Sequence, residues 1–345
     1  MKIRTGFVAA LAALFLAVPA AAQNNSSPQT AEQVFSAKKT VNLYIGYTPG
    51  GSYDLYARLV AQHLGRHLPG KPTVIPNNMP GAGSLTAANY VNEVAPKDGT
   101  ALAIVSETAA MEQALGNPAA KYDATKFTWV GRVASSNNIH LVWHAARAQS
   151  VEDTKTIEMT VAGTGPANIA EAVPRLLNAI AGTKFKIISG YQAAGPGMLA
   201  MERGEVDSAA TSWAAIKSTK QDWLDKKLAR IILQSVPERS PELPDVPALP
   251  EFGATPEDKQ VLGLYASGGA IGRSFFGPPG VPPQIAKALR DGFQAMVKDP
   301  DFIADVKRAS LDVEPATAAE LQRIVENTVK VPDTVRARVR AIFGN

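Results

Sequence analysis

The sequence lacks cysteine entirely, and it lacks long hydrophobic runs beyond its first residues. Without cysteine, the chain can have no disulfide, no thiol nucleophile, no cysteine-ligated metal and no lipidated cysteine of the kind that anchors bacterial lipoproteins. After the N-terminus, no segment approaches the roughly 20 uncharged apolar residues that a membrane-spanning helix requires. We therefore expect a soluble mature chain rather than an anchored one.

The N-terminus indicates export. Two basic residues precede an apolar run over residues 7–18, and three consecutive alanines ending at Ala22 match a small-residue cleavage site. The run is too short for a comfortable membrane span, so residues 1–22 are predicted to be a signal peptide that is cleaved near Ala22. The expected location is the periplasm, and polar residues 23–39 are expected to form a flexible lead-in.

Charge and missing motifs exclude further classes of protein. Without Lys2 and Arg4, 33 basic residues (35 − 2) face 31 acidic ones, and the basic residues are dispersed, so no nucleic-acid partner is predicted. Neither G-x-G-x-x-G after the first predicted strand nor G-x-x-x-x-G-K-[ST] is present. The four histidines form two pairs at i and i+4 outside any H-E-x-x-H motif, which favours ordinary, partly exposed histidines. We therefore predict neither a metal nor another cofactor.

Apolar periodicity alternates between strand-like and helix-like segments in two successive series. The first series is predicted as strand 41–46, helix 53–67, strand 73–76, helix 84–94, strand 101–105 and a short helix near 107–115. The second is predicted as strand 158–162, helix 167–180, strand 185–188, helix 195–203, strand 206–210, helix 213–219 and strand 229–234. Such alternation predicts an α/β fold with mainly parallel sheets flanked by helices, whose ligand crevice lies beyond the carboxyl ends of the strands.

The segments that connect and follow the two series are less regular. Apolar segments 129–133 and 139–143 are predicted as a first crossing between two domains, which a mature chain of about 320 residues requires. The proline-rich stretch 237–253 is predicted to be a surface loop, because proline disfavours long helices and central strands. Residues 261–270, apolar with three glycines, are predicted as the strand that returns to the first domain. C-terminal helices are predicted over 284–297, from 300 onward, over 318–330 and over 334–343.

Two glycine-rich turns, each between a predicted strand and a predicted helix, are the most informative feature of the sequence. Residues 47–54 (Y-T-P-G-G-S-Y-D) and 163–168 (G-T-G-P-A-N) would each present backbone amides at the start of a helix. Unpaired amides and the helix dipole together suit a carboxylate or a phosphate. The alternative is that Ser52 or Asp54 only caps its helix, but the paired arrangement favours a ligand cleft.

Further residues near predicted strand ends are candidates for the same cleft. A third glycine turn at 77–84 either caps a helix through Ser84 or exposes amides toward the crevice, and both interpretations stay open. Ser84 and Ser106 would be nucleophiles only beside a base, and no G-x-S-x-G motif is present, so hydroxyls that bind a ligand are favoured. Tyr47 and Tyr191 are candidates for pocket walls, although aromatic residues in such positions belong to the core as often.

The sequence carries seven short motifs in series. They are Y-T-P-G-G-S-Y-D at 47–54, N-N-M-P-G-A-G-S at 77–84, P-K-D-G-T at 96–100, G-T-G-P-A-N at 163–168, G-E-V-D at 204–207, L-P-D-V-P-A-L-P-E-F-G at 243–253 and G-P-P-G-V-P-P at 277–283. In order and spacing they resemble the extracytoplasmic solute-binding proteins of the tripartite tricarboxylate transporter family, the Bug or TctC type. The resemblance covers nearly the whole mature chain and implies a two-lobed periplasmic binding protein, a type II Venus flytrap.

The resemblance also implies lobe boundaries and a binding site. Lobe 1 would comprise residues 40–138 and 261–345, and lobe 2 would comprise residues 139–260. In this family the two turns hold ligand carboxylates through main-chain amides and ordered water. Carried over by position, the implied site comprises Pro49, Gly50, Gly51, Ser52, Asp54, Gly81, Ala82, Gly83, Ser106, Thr164, Gly165, Pro166, Ala167, Asn168 and Asp207, to which we add Tyr47 and Tyr191 as walls. Where many members have N-R-x-G-A-G, this chain has Met79 in the arginine position.

The predicted function is that of a binding protein and not of an enzyme. It would capture a small organic acid between its lobes and deliver it, as a monomer, to a permease of large and small integral membrane proteins. A ligand that bridges both lobes favours their closure. Two alternatives stay open: a periplasmic serine hydrolase that uses Ser52 or Ser84, and a ligand-sensing partner of a membrane signalling protein.

Overall fold

The computed structural model describes residues 30–36, 39–166 and 168–344. The predicted signal peptide, residues 23–29 and 37–38 of the predicted lead-in and the predicted site residue Ala167 lie outside these ranges. The flexible lead-in predicted for 23–39 is wrong at residues 31–35, where a short helix buries Val34 and Phe35 in the core. Within the described ranges, no helix combines the length and the apolar composition needed to cross a membrane. In chain order, the helices and strands are α1 (Ala31–Val34), β1 (Thr40–Ile45), α2 (Ser52–Leu64), β2 (Thr73–Asn78), α3 (Leu85–Glu93), β3 (Ala101–Ile104), α4 (Ala109–Ala114), β4 (Thr128–Arg132), β5 (Asn138–Trp143), β6 (Met159–Gly163), α5 (Ile169–Ala181), β7 (Phe185–Ser189), α6 (Ala194–Glu202), β8 (Ser208–Ser212), α7 (Trp213–Thr219), α8 (Gln221–Asp225), β9 (Ala229–Gln234), α9 (Pro256–Ser267), β10 (Ser274–Gly277), α10 (Pro283–Met296), α11 (Pro300–Arg308), β11 (Ala316–Thr317), α12 (Ala318–Val329) and α13 (Asp333–Phe343).

The first strand and helix show how the apolar pattern becomes a core. Val41, Leu43 and Ile45 alternate along β1 and are fully buried, and α2 directs Val60 and Leu64 into the same cluster. Burial of each such side chain contributes roughly 1.5–3 kcal/mol relative to exposure. This packing fixes the direction in which the connection between β1 and α2 must turn.

The first sheet has the strand order β11-β4-β10-β3-β1-β2. Strand β1 pairs in parallel with β2 and β3, whereas β10 lies antiparallel between β3 and β4, and β11 is antiparallel to β4. Strands β1 to β4 therefore share one direction, and their carboxyl ends lie at one edge together with the start of β10. We call this sheet and the helices packed on it the first lobe.

The second sheet has the strand order β7-β6-β8-β5-β9. Strand β6 is parallel to β7 and β8, and β5 is antiparallel to both β8 and β9. Each sheet is thus mixed, because a strand that arrives from the other sheet runs against its neighbours. The predicted two-lobed α/β architecture is confirmed, and the second sheet with its helices is called the second lobe.

The chain crosses between the sheets twice, and the two crossing segments pair with each other. Residues 133–137 lead from β4 to β5, and residues 268–273 lead back to β10. The backbone N–H of Arg273 donates to Ala134 O at 2.9 Å, and that of Val133 donates to Arg273 O at 3.0 Å. Because β4 ends and β5 begins at this crossing, the carboxyl-terminal edges of β1 and of β6 face each other across it.

The predicted return strand over 261–270 is wrong, since these residues belong to α9 and a short 3-10 turn. Thr255 and Asp258 form a capping box, and Pro256 occupies the first helical position, which together start a helix. The apolar residues of α9 then pack against the second lobe, as do Val335 and Val339 of α13. The return strand is β10, one element later, and the predicted lobe boundary at residue 261 falls within α9.

His140 lies in the middle of the second sheet and not at a partly exposed position. Its side chain is 1% exposed, and neither ring nitrogen has a hydrogen-bond partner among the described residues. Burial lowers the pKa of His140 from 6.5 to about 4. The ring is therefore neutral in the folded protein at neutral pH, whereas the unfolded chain takes up a proton below pH 6.5.

We expect His140 to make the fold sensitive to acid. As the pH falls from 6.5 toward 4, the unfolded state binds a proton that the folded state does not, so stability declines by up to about 3 kcal/mol. His140→Leu should remove this part of the decline while keeping a similar volume. Urea unfolding at pH 7 and at pH 5 checks this, and an equal pH dependence in both proteins would contradict it.

Candidate ligand-binding site

The first turn, residues 46–51, is held by a buried carboxylate at the start of α2. Asp54 is 2% exposed and accepts hydrogen bonds from Gly50 N at 2.9 Å, Arg58 Nε at 2.8 Å and Asn78 Nδ2 at 2.9 Å. Burial raises the pKa of Asp54, but these three hydrogen bonds outweigh burial and lower it below its usual value. Gly51 is the N-cap, and no side chain caps the helix. Asp54 thus shapes the turn, and its oxygens are already in use.

The second turn, whose described residues are 164–166 and 168, repeats this construction in the second lobe. Gly165 has φ +124° and its N–H donates to Glu171 Oε1 at 2.7 Å, while Glu171 itself is 1% exposed. Arg175 Nη2 lies 3.6 Å from Glu171 Oε2. The two residues are four positions apart along the helix, like Arg58 and Asp54, whose Nε and Oδ2 are 2.8 Å apart. Asn168 caps α5 by accepting from Ala170 N at 3.0 Å. An acid in the first turn of the helix followed by arginine at i+4 is a sequence signal that we did not use.

The third turn, residues 79–84, combines positive φ angles with a close approach to the first turn. Gly81, Ala82, Gly83 and Ser84 have φ values of 140°, 46°, 65° and 77°, and two of the four are not glycine. Such backbone strain, on the order of 1–3 kcal/mol per residue, is typical of functional sites. A Cβ on Gly46 would lie 2.3 Å from the Cβ of Ser84, so the two turns are in direct contact.

Hydroxyl groups cluster where these two turns meet β3. Ser84 Oγ accepts from Ser106 N at 2.7 Å, and the Ser106 hydroxyl shares a hydrogen bond of 2.7 Å with the hydroxyl of Thr108. The Tyr47 ring stacks on Tyr53 with centroids 4.4 Å apart. Burial raises the pKa of Tyr47, so its hydroxyl keeps its proton at neutral pH. The predicted site residues of the first lobe are thus brought together at one edge of the sheet.

A buried ion pair that the sequence interpretation missed lies directly behind this cluster. Arg273 Nη1 donates to Glu107 Oε2 at 3.1 Å, and each residue is 3% exposed. Arg273 also donates through Nη2 to Ser52 Oγ at 3.0 Å and lies over the Tyr53 ring, with Cζ 4.0 Å from its centroid. Glu107 accepts a further hydrogen bond from Asn138, the first residue of β5. The pair therefore links the first turn to the crossing between the lobes.

Two predicted residues of the second lobe lie at different edges of its sheet. Tyr191 follows β7 at the carboxyl-terminal edge, where its N–H donates to Gly163 O at 3.2 Å. Asp207 precedes β8 and accepts hydrogen bonds from Thr160 N at 2.8 Å and Thr160 Oγ1 at 2.7 Å, near the start of β6. Asp207 is consequently at the opposite edge from the second turn, and the structure does not bring it to the cleft.

One ion pair joins the lobes directly. Lys217 Nζ in α7 of the second lobe donates to Glu242 Oε2 at 2.8 Å and to Asp312 Oδ1 at 3.1 Å. Asp312 belongs to the first lobe, where its backbone exchanges two hydrogen bonds of 3.0 Å with the hydroxyl of Tyr56 in α2. Burial lowers the pKa of Lys217, but its bonds to Glu242 and Asp312 outweigh burial and raise it.

We expect this bridge to favour the closed arrangement of the lobes. Its side chains are 26% and 49% exposed, so solvent limits its contribution to at most about 1 kcal/mol, or about a fivefold shift in population. Lys217→Met should increase the radius of gyration measured by X-ray scattering at low salt. The control Lys226→Met, which removes a pair within the second lobe, should leave it unchanged. Identical scattering from wild type and Lys217→Met would contradict the expectation.

The hydrogen bonds of the two candidate nucleophiles do not support hydrolysis. Ser52 Oγ accepts from Arg273, and Ser84 Oγ accepts from Ser106 N. Among the described residues, no histidine bonds with either serine. His63 and His67 instead contact Asp305 and Asp299 at 2.8 Å. The site offers hydrogen-bond donors and neutralised acids, an arrangement that suits binding.

Comparison with known proteins decides the family. The receptor family of the tripartite tricarboxylate transporters, TctC, matches residues 56–338. The chain belongs to this family. TctC receptors are periplasmic solute-binding proteins and not enzymes, as predicted. The UPF0065 protein in the gbd 5′ region of Cupriavidus necator is 28% identical to this receptor over 330 residues, which are 90% of this chain and 88% of that protein.

Solved structures of low sequence identity share the fold of this TctC receptor. The periplasmic binding protein BugD aligns with a TM-score of 0.67 at 19% identity over 89% of this chain and 98% of its own. An R. palustris protein solved with adipate aligns at 0.66 and 22% identity, over 89% and 98%. MatC from Rhodopseudomonas palustris, solved with bound malate, aligns at 0.65 and 19% identity, over 88% and 98%.

Proposed function

We propose that this receptor captures a small dicarboxylate between its two lobes and delivers it to a membrane permease. The observation that carries the proposal is the repeated construction of the first and second turns. In each lobe a glycine amide is held by a buried acid, that acid is paired with an arginine, and a helix begins next to the turn. Two such turns at facing edges suit a ligand with two separated anionic groups.

The electrostatics of the turns support an anionic ligand. Asp54 and Glu171 are each close to an arginine, so neither leaves an uncompensated negative charge beside the turn. The N-terminus of α2 has no side-chain cap, and its first N–H groups carry partial positive charge. Hydrogen bonds from amides and hydroxyls to a carboxylate are charge-assisted and therefore stronger than those to a neutral group.

Capture requires the two lobes, which the two crossing segments join, to close around the ligand. A dicarboxylate that contacts both turns binds the closed state better than the open state, and its differential affinity shifts the population toward closure. The Lys217 bridge acts in the same direction. Export with cleavage near Ala22, a monomeric state and delivery to large and small permease subunits remain parts of this proposal.

The choice of ligand class is supported by the fold relatives. MatC was solved with malate, and the other R. palustris protein was solved with adipate. Both ligands carry two carboxylates. The test is a thermal-shift and calorimetric panel of adipate, malate, succinate, citrate and benzoate, with adipamide as the neutral control. We expect at least one dicarboxylate to raise the melting temperature, as ligand linkage requires, and adipamide to leave it unchanged. No shift from any acid, or an equal shift from adipamide, would overturn the proposal.

A further inference from the structure

The hydrogen-bond arrangement at Ser52 has a consequence for the kind of group that the first lobe accepts. Ser52 is the first residue of α2 and adjoins the glycines of the first turn. Its Oγ receives a hydrogen bond from Arg273 Nη2 at 3.0 Å. A guanidinium has five N–H donors and no acceptor, so the direction of this bond is certain. The Ser52 hydroxyl is therefore an acceptor toward Arg273.

The proton of that hydroxyl must then point elsewhere. A serine hydroxyl has one proton to donate, and Arg273 cannot receive it. Among the described residues, Ser52 Oγ has no other hydrogen-bond partner. The O–H group is free to donate to a ligand at the first turn. The positive charge of the guanidinium, next to the oxygen, also disfavours the approach of a second N–H donor.

Arg273 is held rigidly enough to impose this direction. Its backbone pairs with Val133 and Ala134 in the crossing, with hydrogen bonds of 3.0 and 2.9 Å. Its guanidinium is fixed by Glu107 at 3.1 Å and by the Tyr53 ring, whose centroid is 4.0 Å from Cζ. The Arg273 side chain is only 4% exposed and is therefore too deeply buried to contact a ligand itself. Its hydrogen-bonding influence on a ligand therefore passes through Ser52, to which it donates.

We infer that Arg273 is a positioning residue that orients the Ser52 hydroxyl as a hydrogen-bond donor and thereby makes the first turn select a carboxylate over a carboxamide. A carboxylate oxygen only accepts, which matches the free O–H of Ser52. A carboxamide brings an NH₂ group that needs an acceptor; one of the two lone pairs of Ser52 Oγ accepts from Arg273, and the charge of the guanidinium disfavours a further N–H donor at the other. This inference rests on the proposed function.

Calorimetry with adipate and its monoamide, adipamate, tests the inference. The wild type is expected to bind adipate at least tenfold more tightly than adipamate. Ser52→Ala should weaken adipate binding about tenfold and reduce that preference, and Arg273→Lys should do the same. In a Ser52→Ala background, Arg273→Lys should have no further effect on adipate affinity, because its influence acts through the hydroxyl. Arg132→Lys, a buried arginine that bonds with Glu314 O at 3.2 Å, is the matched control and should retain the wild-type preference.

The outcomes separate the two proposals. If Arg273→Lys weakens adipate binding equally with and without Ser52, or leaves the preference intact, the positioning role is overturned and dicarboxylate binding stands. If the wild type binds neither adipate nor the other acids of the panel, the proposed function fails and the inference fails with it. Should Arg273→Lys not fold, the charge-balanced double variant Arg273→Gln with Glu107→Gln takes its place, and it should show the same loss of preference.

Discussion

Gly165→Val is expected to weaken dicarboxylate binding at least 100-fold while both sheets remain folded. Gly165 has φ +124°, a conformation that residues with a side chain rarely adopt. A valine there must rearrange the second turn, and the hydrogen bond from Gly165 N to Glu171 Oε1 is then lost. If the bound state needs the native turn, the ligand must offset backbone strain of about 1–3 kcal/mol and the lost bond to a charged acceptor. Together these costs are sufficient for a 100-fold loss of affinity.

The matched control is Gly204→Val. Gly204 also has a positive φ, +73°, and a Cβ at this position would have no heavy atom within 4 Å. The residue lies between α6 and β8, at the edge away from the second turn. The substitution therefore imposes comparable local strain without touching the site. Titration of both variants with adipate decides the matter, and equal affinity in the two variants would show that the second turn takes no part in binding.

Arg273→Met is expected to reduce the free energy of unfolding by about 3–5 kcal/mol. The substitution leaves Glu107 charged and buried without its cation, which is the most costly way to break an ion pair. Burial opposes the charge of Arg273, but Tyr53 and Glu107 outweigh burial and raise its pKa, so Arg273 is charged in the wild type. Chemical denaturation at pH 7 measures the loss.

A second substitution tests the reason for this loss. Adding Glu107→Gln removes the orphaned charge, so the double variant should recover most of the lost stability. Lys287→Met breaks an exposed pair with Asp291 and should remain close to wild type. If Arg273→Met resembles Lys287→Met, or if the double variant is as unstable as the single one, the buried pair does not stabilise the first lobe.

Local sequence patterns were sufficient to predict most of the fold. Alternating apolar residues located β1 at 41–46, close to the observed Thr40–Ile45, and helical spacing located α2 beside it. These signals are local because burial on one face sets the period. The prediction for residues 261–270 was wrong because their apolar residues and glycines suit either a strand or a helix, and the capping box at Thr255 favours the helix.

The candidate site was predictable only in part. Glycine-rich turns between a strand and a helix can be recognised from the sequence, so the first and second turns were predicted. The buried pair of Arg273 and Glu107 behind the first turn was not predicted, because Arg273 lies 221 residues from Ser52 and 166 from Glu107. Asp207 was predicted as a site residue because its motif follows the family pattern. Its carboxylate instead accepts a hydrogen bond from Thr160, at the edge of the sheet opposite the second turn. Contacts of high sequence separation have no periodic signature.

The most direct test of the central claim is a crystal structure of the receptor with adipate. We predict one carboxylate within hydrogen-bond distance of the N-terminal amides of α2 and the Ser52 hydroxyl, and the other at the second turn around Gly165. Both lobes would then contact one ligand. Adipate bound outside the two turns, or contacting only one lobe, would contradict this account.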